Sequence, residues 1–190
     1  FGIMIFSKLP IITKQTIVNY PNDYNSAFQY IDVVSGNDTF RIFNVHLQSL
    51  KFTKENLSYL EKAGVKSDSN ITESTSIISK IKTGFLKRAT QADFIKDEVD
   101  LSPYPVIVCG DFNDVPNSYA YETIGNGLQN AFVAKGAGMA RTFSTISPTL
   151  RIDNIFVDKS FTVVQFYRIK KLRSDHFPII TDIIPAQNNQ

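Results

Sequence analysis

Residues 106–118 read VIVCGDFNDVPNS. The run is apolar and β-branched at first, which fits a strand buried on both faces. It then stops in a loop that carries Asp111, Asn113 and Asp114. Asp, Asn, Gly and Pro all favour turns for backbone reasons. Asp114, Pro116 and Asn117 are read that way, with Asn117 or Ser118 capping a short helix, SYAYETIG, that ends at Gly125. Asp111 and Asn113 stand where a buried strand delivers its last groups. That place suits a metal or a phosphate as well as a turn.

Upstream, the first 48 residues read as β structure. GIMIFS, QTIVNY (15–20), SAFQYIDVV (26–34) and TFRIFNVHLQ (39–48) are the expected strands. Ser-Gly-Asn-Asp between the last two is a hairpin signal. Within the fourth strand Phe40, Ile42 and Asn44 alternate with Arg41, Phe43, Val45 and Leu47. Residues 53 to about 99 read as helical, with a break near Gly64 and KSDSN. Ile78, Ile81, Phe85, Ala89, Ala92, Ile95 and Val99 recur at three- and four-residue spacing and define the expected buried stripe. Lys80, Lys82, Lys87, Arg88 and Lys96 are assigned to its solvated face. Downstream, RIDNIFVD (151–158), FTVVQFYRI (161–169) and FPIITDII (177–184) are further strands. No repeat or linker divides the chain. Strands, helices and strands again predict one α/β domain over residues 1–185, with a polar tail, AQNNQ, at 186–190.

The chain has 190 residues, 43% hydrophobic and 20% charged, enough for a real core and unlike a disordered composition. Its formal charge of +2 selects no partner by itself, although a local basic patch fits inside that balance. One cysteine, Cys109, cannot form an internal disulfide and reads as a small packed hydrophobe. No run of 18 apolar residues is present to span a membrane. Nothing in the sequence sets a cellular location.

The chemistry is concentrated in four short stretches where strands end or begin in polar groups: NVHL (44–47), GDFN (110–113), RIDNIF (151–156) and SDH (174–176). They hold both histidines of the chain, His46 and His176. Asp153 interrupts a strand-like run, where an ionised carboxylate needs a partner. That partner is either Arg151 or Arg173 at a sheet edge, or an imidazole whose tautomer Asp153 fixes. Two imidazoles, several carboxylates and an amide suit phosphoryl chemistry assisted by a hard cation. No cysteine pair or H-x-x-x-H spacing supports zinc, and no G-x-S-x-G elbow supports a serine hydrolase.

The ordered set NVHL, GDFN, RIDNIF and SDHFP resembles the endonuclease/exonuclease/phosphatase superfamily, the group of deoxyribonuclease I, abasic endonucleases, inositol polyphosphate 5-phosphatases, sphingomyelinases and deadenylases. FGIMIFSKLPI is similar to a family strand ending in Ser-Arg/Lys-x-Pro-Ile. The resemblance implies a four-layer α/β sandwich, two facing and mainly antiparallel sheets flanked by helices. It implies a hydrolase of phosphodiesters or phosphomonoesters that uses Mg²⁺ or Mn²⁺ and in-line water attack. By position, His46 would contact the scissile phosphate. Asp111 would activate water or bind metal, and Asn113 would hold a phosphate oxygen. Asp153 would pair with His176, Asp175 would join the metal site, and His176 would bind phosphate or move a proton. The family's first strands and its glutamate metal ligand have no counterpart here. The expectation is therefore a partial domain, impaired without that glutamate and prone to self-association through an exposed face.

Arg141 and Thr142, just before RIDNIF, are candidate substrate contacts. His46 argues against the abasic-endonuclease branch, and GDFND and RIDNIF differ from the inositol 5-phosphatase patterns. Nucleic acid, a lipid or a small phosphoester remain as substrates. The alternative to an enzyme is a binding or scaffold domain that keeps the fold without the chemistry.

Overall fold

The computed structural model describes residues 2–17, 26–50, 52–56, 58, 71–144, 149–171 and 173–185. In chain order the elements are β1 (Ile11–Thr16), β2 (Ala27–Ser35), β3 (Asp38–His46), α1 (Ile71–Asp100) and β4 (Val106–Asp111). Then follow α2 (Tyr119–Gly125), β5 (Gln129–Asn130), α3 (Ala131–Lys135), β6 (Asp153–Val157), β7 (Phe161–Arg168) and β8 (Ile179–Pro185). Six strands make one sheet in the order β1-β2-β3-β4-β6-β5, and β7 pairs with β8 in a second. Every pair is antiparallel except β3 with β4. A parallel pair needs a long crossover, and α1 lies within it.

The expected hairpin forms. Ser35 faces Asp38, which leaves a two-residue turn with Gly36 at φ 61, the left-handed geometry glycine adopts without strain. Alternation then sorts β3 as its sequence predicts. Phe43 and Val45 join Val106, Val108 and Phe156 against Ala92, Ile95 and Val99 of α1 and Ile124 of α2. Fully burying one such side chain contributes about 1.5–3 kcal/mol. On the other face Phe40, Ile107 and Ile155 meet Phe161, Val163 and Ile183 of the small sheet. Phe40 and Phe161 bring the sheets together with ring centroids 5.1 Å apart. Helices thus cover one side of the large sheet, the small sheet covers the other, and α3 packs on β6 and β7. This is the mixed α/β sandwich with two sheets and flanking helices that the sequence leads one to expect.

Two details differ from expectation. GIMIFS is not a strand; its Met4 carbonyl accepts a hydrogen bond from the Asn44 amide at 3.2 Å, and the first strand begins at Ile11. The stripe on α1 is also rotated in its first half. Ile77, Arg88, Gln91, Ala92, Ile95 and Val99 are buried, whereas Ile78 and Phe85 are exposed. Arg88, expected in solvent, is among the most buried side chains, for reasons given below. Ser118 caps α2 by accepting from the Tyr121 N–H, as anticipated. The end of QTIVNY, the KSDSN break and the AQNNQ tail lie outside the described residues.

Candidate active site

Strand register builds the centre of the site. His46 of β3 is the partner of Asp111 of β4, and Asp111 is the partner of Asp153 of β6. Three neighbouring strands therefore present an imidazole and two carboxylates in one row at the sheet end. Adjacent partners share a face, so all three point to the same side. Gly110 permits the row to be this tight. Its φ is +144, and a Cβ there would lie 1.9 Å from the Val45 carbonyl oxygen.

The loop after β4 then folds onto its own carboxylate. Asp111 Oδ1 accepts the Asn113 backbone N–H at 2.8 Å, an Asx-type turn that holds Asn113 at φ 48. The Asn113 amide donates to the Leu47 carbonyl at 3.0 Å and stands 3.5 Å from His46 Nε2. The other oxygen, Asp111 Oδ2, lies 3.6 Å from His46 Nε2 and 3.8 Å from His176 Nε2. Asp111 is thus set between two imidazoles.

His176 arrives from the second sheet's side. A single bridge between Phe143 and His176 ties its segment to the stretch before β6, and the two rings meet edge-on at 5.0 Å. His176 Nδ1 then lies 2.8 Å from Asp153 Oδ2. Of the two arginine candidates, Arg151 instead donates to Asn154 at 2.8 Å and stacks over Phe132, and among the described residues Arg173 makes no ion pair with Asp153. The electrostatics follow from these contacts. The hydrogen bond to Asp153 pushes the His176 pKa up to about 9, with Asp111 and Asp175 adding negative charge. Burial, then the nearby Asp153 charge, pushes the Asp111 carboxyl up to about 7, against the opposing pull of His176 and the Asn113 N–H.

The remaining sequence candidates fall elsewhere. Asp175 is exposed and accepts from the Ser174 hydroxyl at 2.8 Å; it contributes charge but does not enter the central cluster. Thr142 is fully buried, and its hydroxyl accepts from the Ile152 and Asp153 N–H groups at 2.9 and 3.0 Å. It anchors the entry to β6 from beneath and has no face for a substrate. Arg141 is partly exposed, with its guanidinium 5.6 Å from the Phe177 ring centroid.

Sequence reasoning missed a polar layer behind the row. Arg88 Nε donates to Asp114 Oδ2 at 2.8 Å and Arg88 Nη1 to the Gln48 carbonyl at 3.0 Å. Gln91 accepts the Gln48 N–H at 2.9 Å and donates to Ser26 Oγ at 3.0 Å. These bonds tie α1 to the loops that follow His46 and Asn113. The available signal was a second helical stripe, Ile77, Gly84, Arg88 and Gln91, running one residue off the apolar one.

Among the described residues, Asp111, Asp153 and His176 each offer a ligand atom within 4.8 Å of the others. Two carboxylates in a row are oxygen donors of the kind hard divalent cations take. Their charges oppose one another, and Asp111 is held towards its neutral form by burial and Asp153. A divalent cation would supply the positive charge that this pair needs, so the donor set fits one.

Comparison with solved structures places the fold. The chain matches an endonuclease/exonuclease/phosphatase from Bacteroides vulgatus at 17% identity and a TM-score of 0.65, covering 94% of this chain and 67% of that one. D. rerio TDP2 complexed with single strand DNA product matches at 15% identity and a TM-score of 0.61, covering 93% and 68%. The mannosyl-6-phosphatase of Bacteroides thetaiotaomicron matches at 17% identity and a TM-score of 0.55, covering 93% and 67%. The chain therefore spans about two thirds of the length of each. At these identities the likeness establishes the fold. No curated protein matches the chain. The family model for the Endonuclease/Exonuclease/phosphatase family, a group that hydrolyses phosphoester bonds, matches residues 1–176, and the chain belongs to that family.

Proposed function

We propose that this chain is a divalent-metal-dependent phosphoesterase that hydrolyses a phosphodiester or phosphomonoester by in-line attack of water. The observation that carries the reading is the in-register row His46–Asp111–Asp153, with His176 clamped onto Asp153 at 2.8 Å. Asp111 and Asp153 would hold Mg²⁺ or Mn²⁺, which when bound supplies positive charge for a phosphate in its transition state. His176 carries a proton at neutral pH, because Asp153 stabilises its charged form. Its Nε2, on the Asp111 side, is free to donate to a phosphate oxygen or to a leaving group. His46 and the Asn113 amide face the same space from β3 and the β4 loop, and would orient a second phosphate oxygen. Asp111, between the imidazoles, is placed to accept a proton from water. Nucleic acid enters as a substrate class through the likeness to a protein solved with a single strand DNA product, and a sugar phosphate through a relative named as a mannosyl-6-phosphatase.

The test is hydrolysis of bis-nitrophenyl phosphate with Mg²⁺. His176→Ala should lower turnover by roughly 100-fold to 10,000-fold, the usual contribution of a positioned acid or base. Equal turnover by the variant, or none by the wild type, would leave a fold without this chemistry.

A further inference from the structure

His46 ends β3 and Asp111 ends β4, and the ladder between them runs one step further, to the Leu47 N–H on the Asp111 carbonyl at 2.9 Å. Beyond that bond the chain leaves the sheet, where strand ends ordinarily open first. Here α1 takes over. Gln91 Oε1 accepts the Gln48 N–H at 2.9 Å, and Arg88 Nη1 donates to the Gln48 carbonyl at 3.0 Å. Both backbone groups of Gln48 are therefore held by one helix face. Gly84, one turn earlier, leaves room for this: a Cβ there would lie 2.9 Å from Arg88 Nη1 and 2.5 Å from Leu50 Cδ2.

The Gln48 N–H and the Leu47 carbonyl belong to one peptide unit, which is planar, and they point to opposite sides of it. On the far side the Leu47 carbonyl accepts from the Asn113 amide at 3.0 Å, and that amide stands 3.5 Å from His46 Nε2. Anchored through one of its two N–H bonds, the amide keeps the other for His46 or for a phosphate oxygen. The bond from Gln48 to Gln91 thus sets the plane on which Asn113 is hung. Gln91 is fixed in turn, since its Nε2 donates to Ser26 Oγ at 3.0 Å, at the entry to β2. Leu47, Gln48 and Gln91 are 0%, 3% and 1% exposed, so solvent is not at hand to replace a lost partner. A buried N–H left without its acceptor is costly, and rotation of the peptide towards another acceptor would swing the Leu47 carbonyl away from Asn113.

We propose that Gln91 is a positioning residue for the Asn113 amide: through the peptide between Leu47 and Gln48 it aims that amide at a phosphate oxygen beside His46. This rests on the phosphoesterase reading of the His46–Asp111–Asp153 row and adds to it a residue of α1 that touches neither substrate nor metal.

The experiment measures kcat and KM on bis-nitrophenyl phosphate with Mg²⁺, and the proton–nitrogen correlation signal of the Asn113 side-chain amide in EDTA. Gln91→Met keeps the length of the side chain and removes both of its hydrogen bonds. It should lower kcat about tenfold, the equivalent of one hydrogen bond, with KM unchanged. The Asn113 amide proton held by the Leu47 carbonyl should move upfield. Gln91→Glu should regain most of the rate and the signal, because its carboxylate can still accept from the Gln48 N–H and the Ser26 hydroxyl beside the Arg88 cation. Gln91→Met/Asn113→Ala should be no slower than Asn113→Ala, since Gln91 acts only through that amide. Val99→Ala, about two turns further along α1, should lower the melting temperature and leave kcat and the Asn113 signal in place. Ser26→Ala leaves Gln91 on Gln48 but releases its other end; it should give a smaller loss of kcat and the same upfield move, and it stands in if Gln91→Met does not fold. An unchanged kcat in folded Gln91→Met, an additive loss in the double variant, or an equal loss in Val99→Ala overturns the proposal. If the wild type shows no turnover, the phosphoesterase reading falls and the Asn113 signal decides alone. Its loss in Gln91→Met and return in Gln91→Glu then keeps the positioning of the amide, and an unchanged signal removes it.

Discussion

Arg88 Nε donates to Asp114 Oδ2 at 2.8 Å, and the two side chains are only 2% and 3% exposed. A charged pair this deep is worth little against an apolar pair of equal volume, yet loss of one partner strands the other. Arg88→Ala should therefore destabilise the chain by about 3–5 kcal/mol, read as the midpoint shift in urea. Arg88→Met combined with Asp114→Leu should cost clearly less than the two single changes added. Additive single and double values would show that the two groups do not act as a pair. Because Asp114 follows Asn113, Arg88→Ala should also lower turnover in molecules that remain folded.

Gly110 and the Val45 carbonyl define how closely β3 and β4 can pass. An added Cβ would sit 1.9 Å from that oxygen, at a φ of +144 that L-residues avoid. No rotamer relieves a clash between backbone atoms. Gly110→Ala should separate His46 from Asp111 and destabilise by more than about 4 kcal/mol, in the exceptional range for a single change. Loss of soluble folded protein, or a collapse of the melting temperature, is the expected readout. A variant with wild-type melting and turnover would mean that the row does not need this close approach.

These two residues show what the sequence made legible. GDFN advertised its glycine, carboxylate and amide because a buried strand rarely ends in such groups. His46, Asp153 and His176 were visible for the same reason; strand register then set His46 and Asp153 in one row with Asp111, and the Phe143 bridge brought His176 onto Asp153. Arg88 was not visible. A cation on an amphipathic helix ordinarily faces water, and the apolar stripe through Ile78 and Phe85 placed it there. Only the tertiary partners Asp114 and Gln48 turn the helix so that Arg88 is inside. GIMIFS misled in a similar way. Its composition favours a strand, but a strand also needs a partner edge, and β1 uses the β2 edge from Ile11 onward. The contact between Arg141 and Arg168 was hidden too, since they are 27 positions apart and meet through the Phe177 ring and the hydrogen bond from Arg168 to the Arg141 carbonyl.

The His176–Asp153 contact gives a pH dependence with a definite sign. The His176 pKa is raised from 6.5 to about 9 in the folded chain. Its stabilising contribution is therefore complete below about pH 6.5 and is lost as pH rises through about 9. The Asp111 carboxyl, raised from 3.8 to about 7, acts in the same direction at lower pH, losing its contribution as pH rises through about 7. In EDTA the melting temperature should thus fall as pH is raised from about 6 to about 9.5. Asp153→Asn should remove most of the upper part of that fall. A melting temperature that rises over the range, or an unchanged profile in Asp153→Asn, contradicts the assignment.

Divalent cation should reverse the lower part of this trend. A cation held by Asp111 and Asp153 competes with the proton that burial and like charge place on Asp111. Stabilisation by a bound ligand grows as RT ln(1 + [L]/Kd), about 2.7 kcal/mol at one hundred times Kd. At fixed Mg²⁺ the gain in melting temperature over EDTA should therefore be larger at about pH 8 than at about pH 5.5, because less proton has to be displaced. Asp111→Asn removes both the carboxylate and its titration, and should abolish the gain at both pH values. His46→Ala removes a group outside the Asp111–Asp153–His176 set, so it should keep the gain while losing turnover. A Mg²⁺ shift that survives Asp111→Asn would place the cation elsewhere on the chain. A shift lost in His46→Ala would mean that the imidazole, and not the two carboxylates alone, holds the metal.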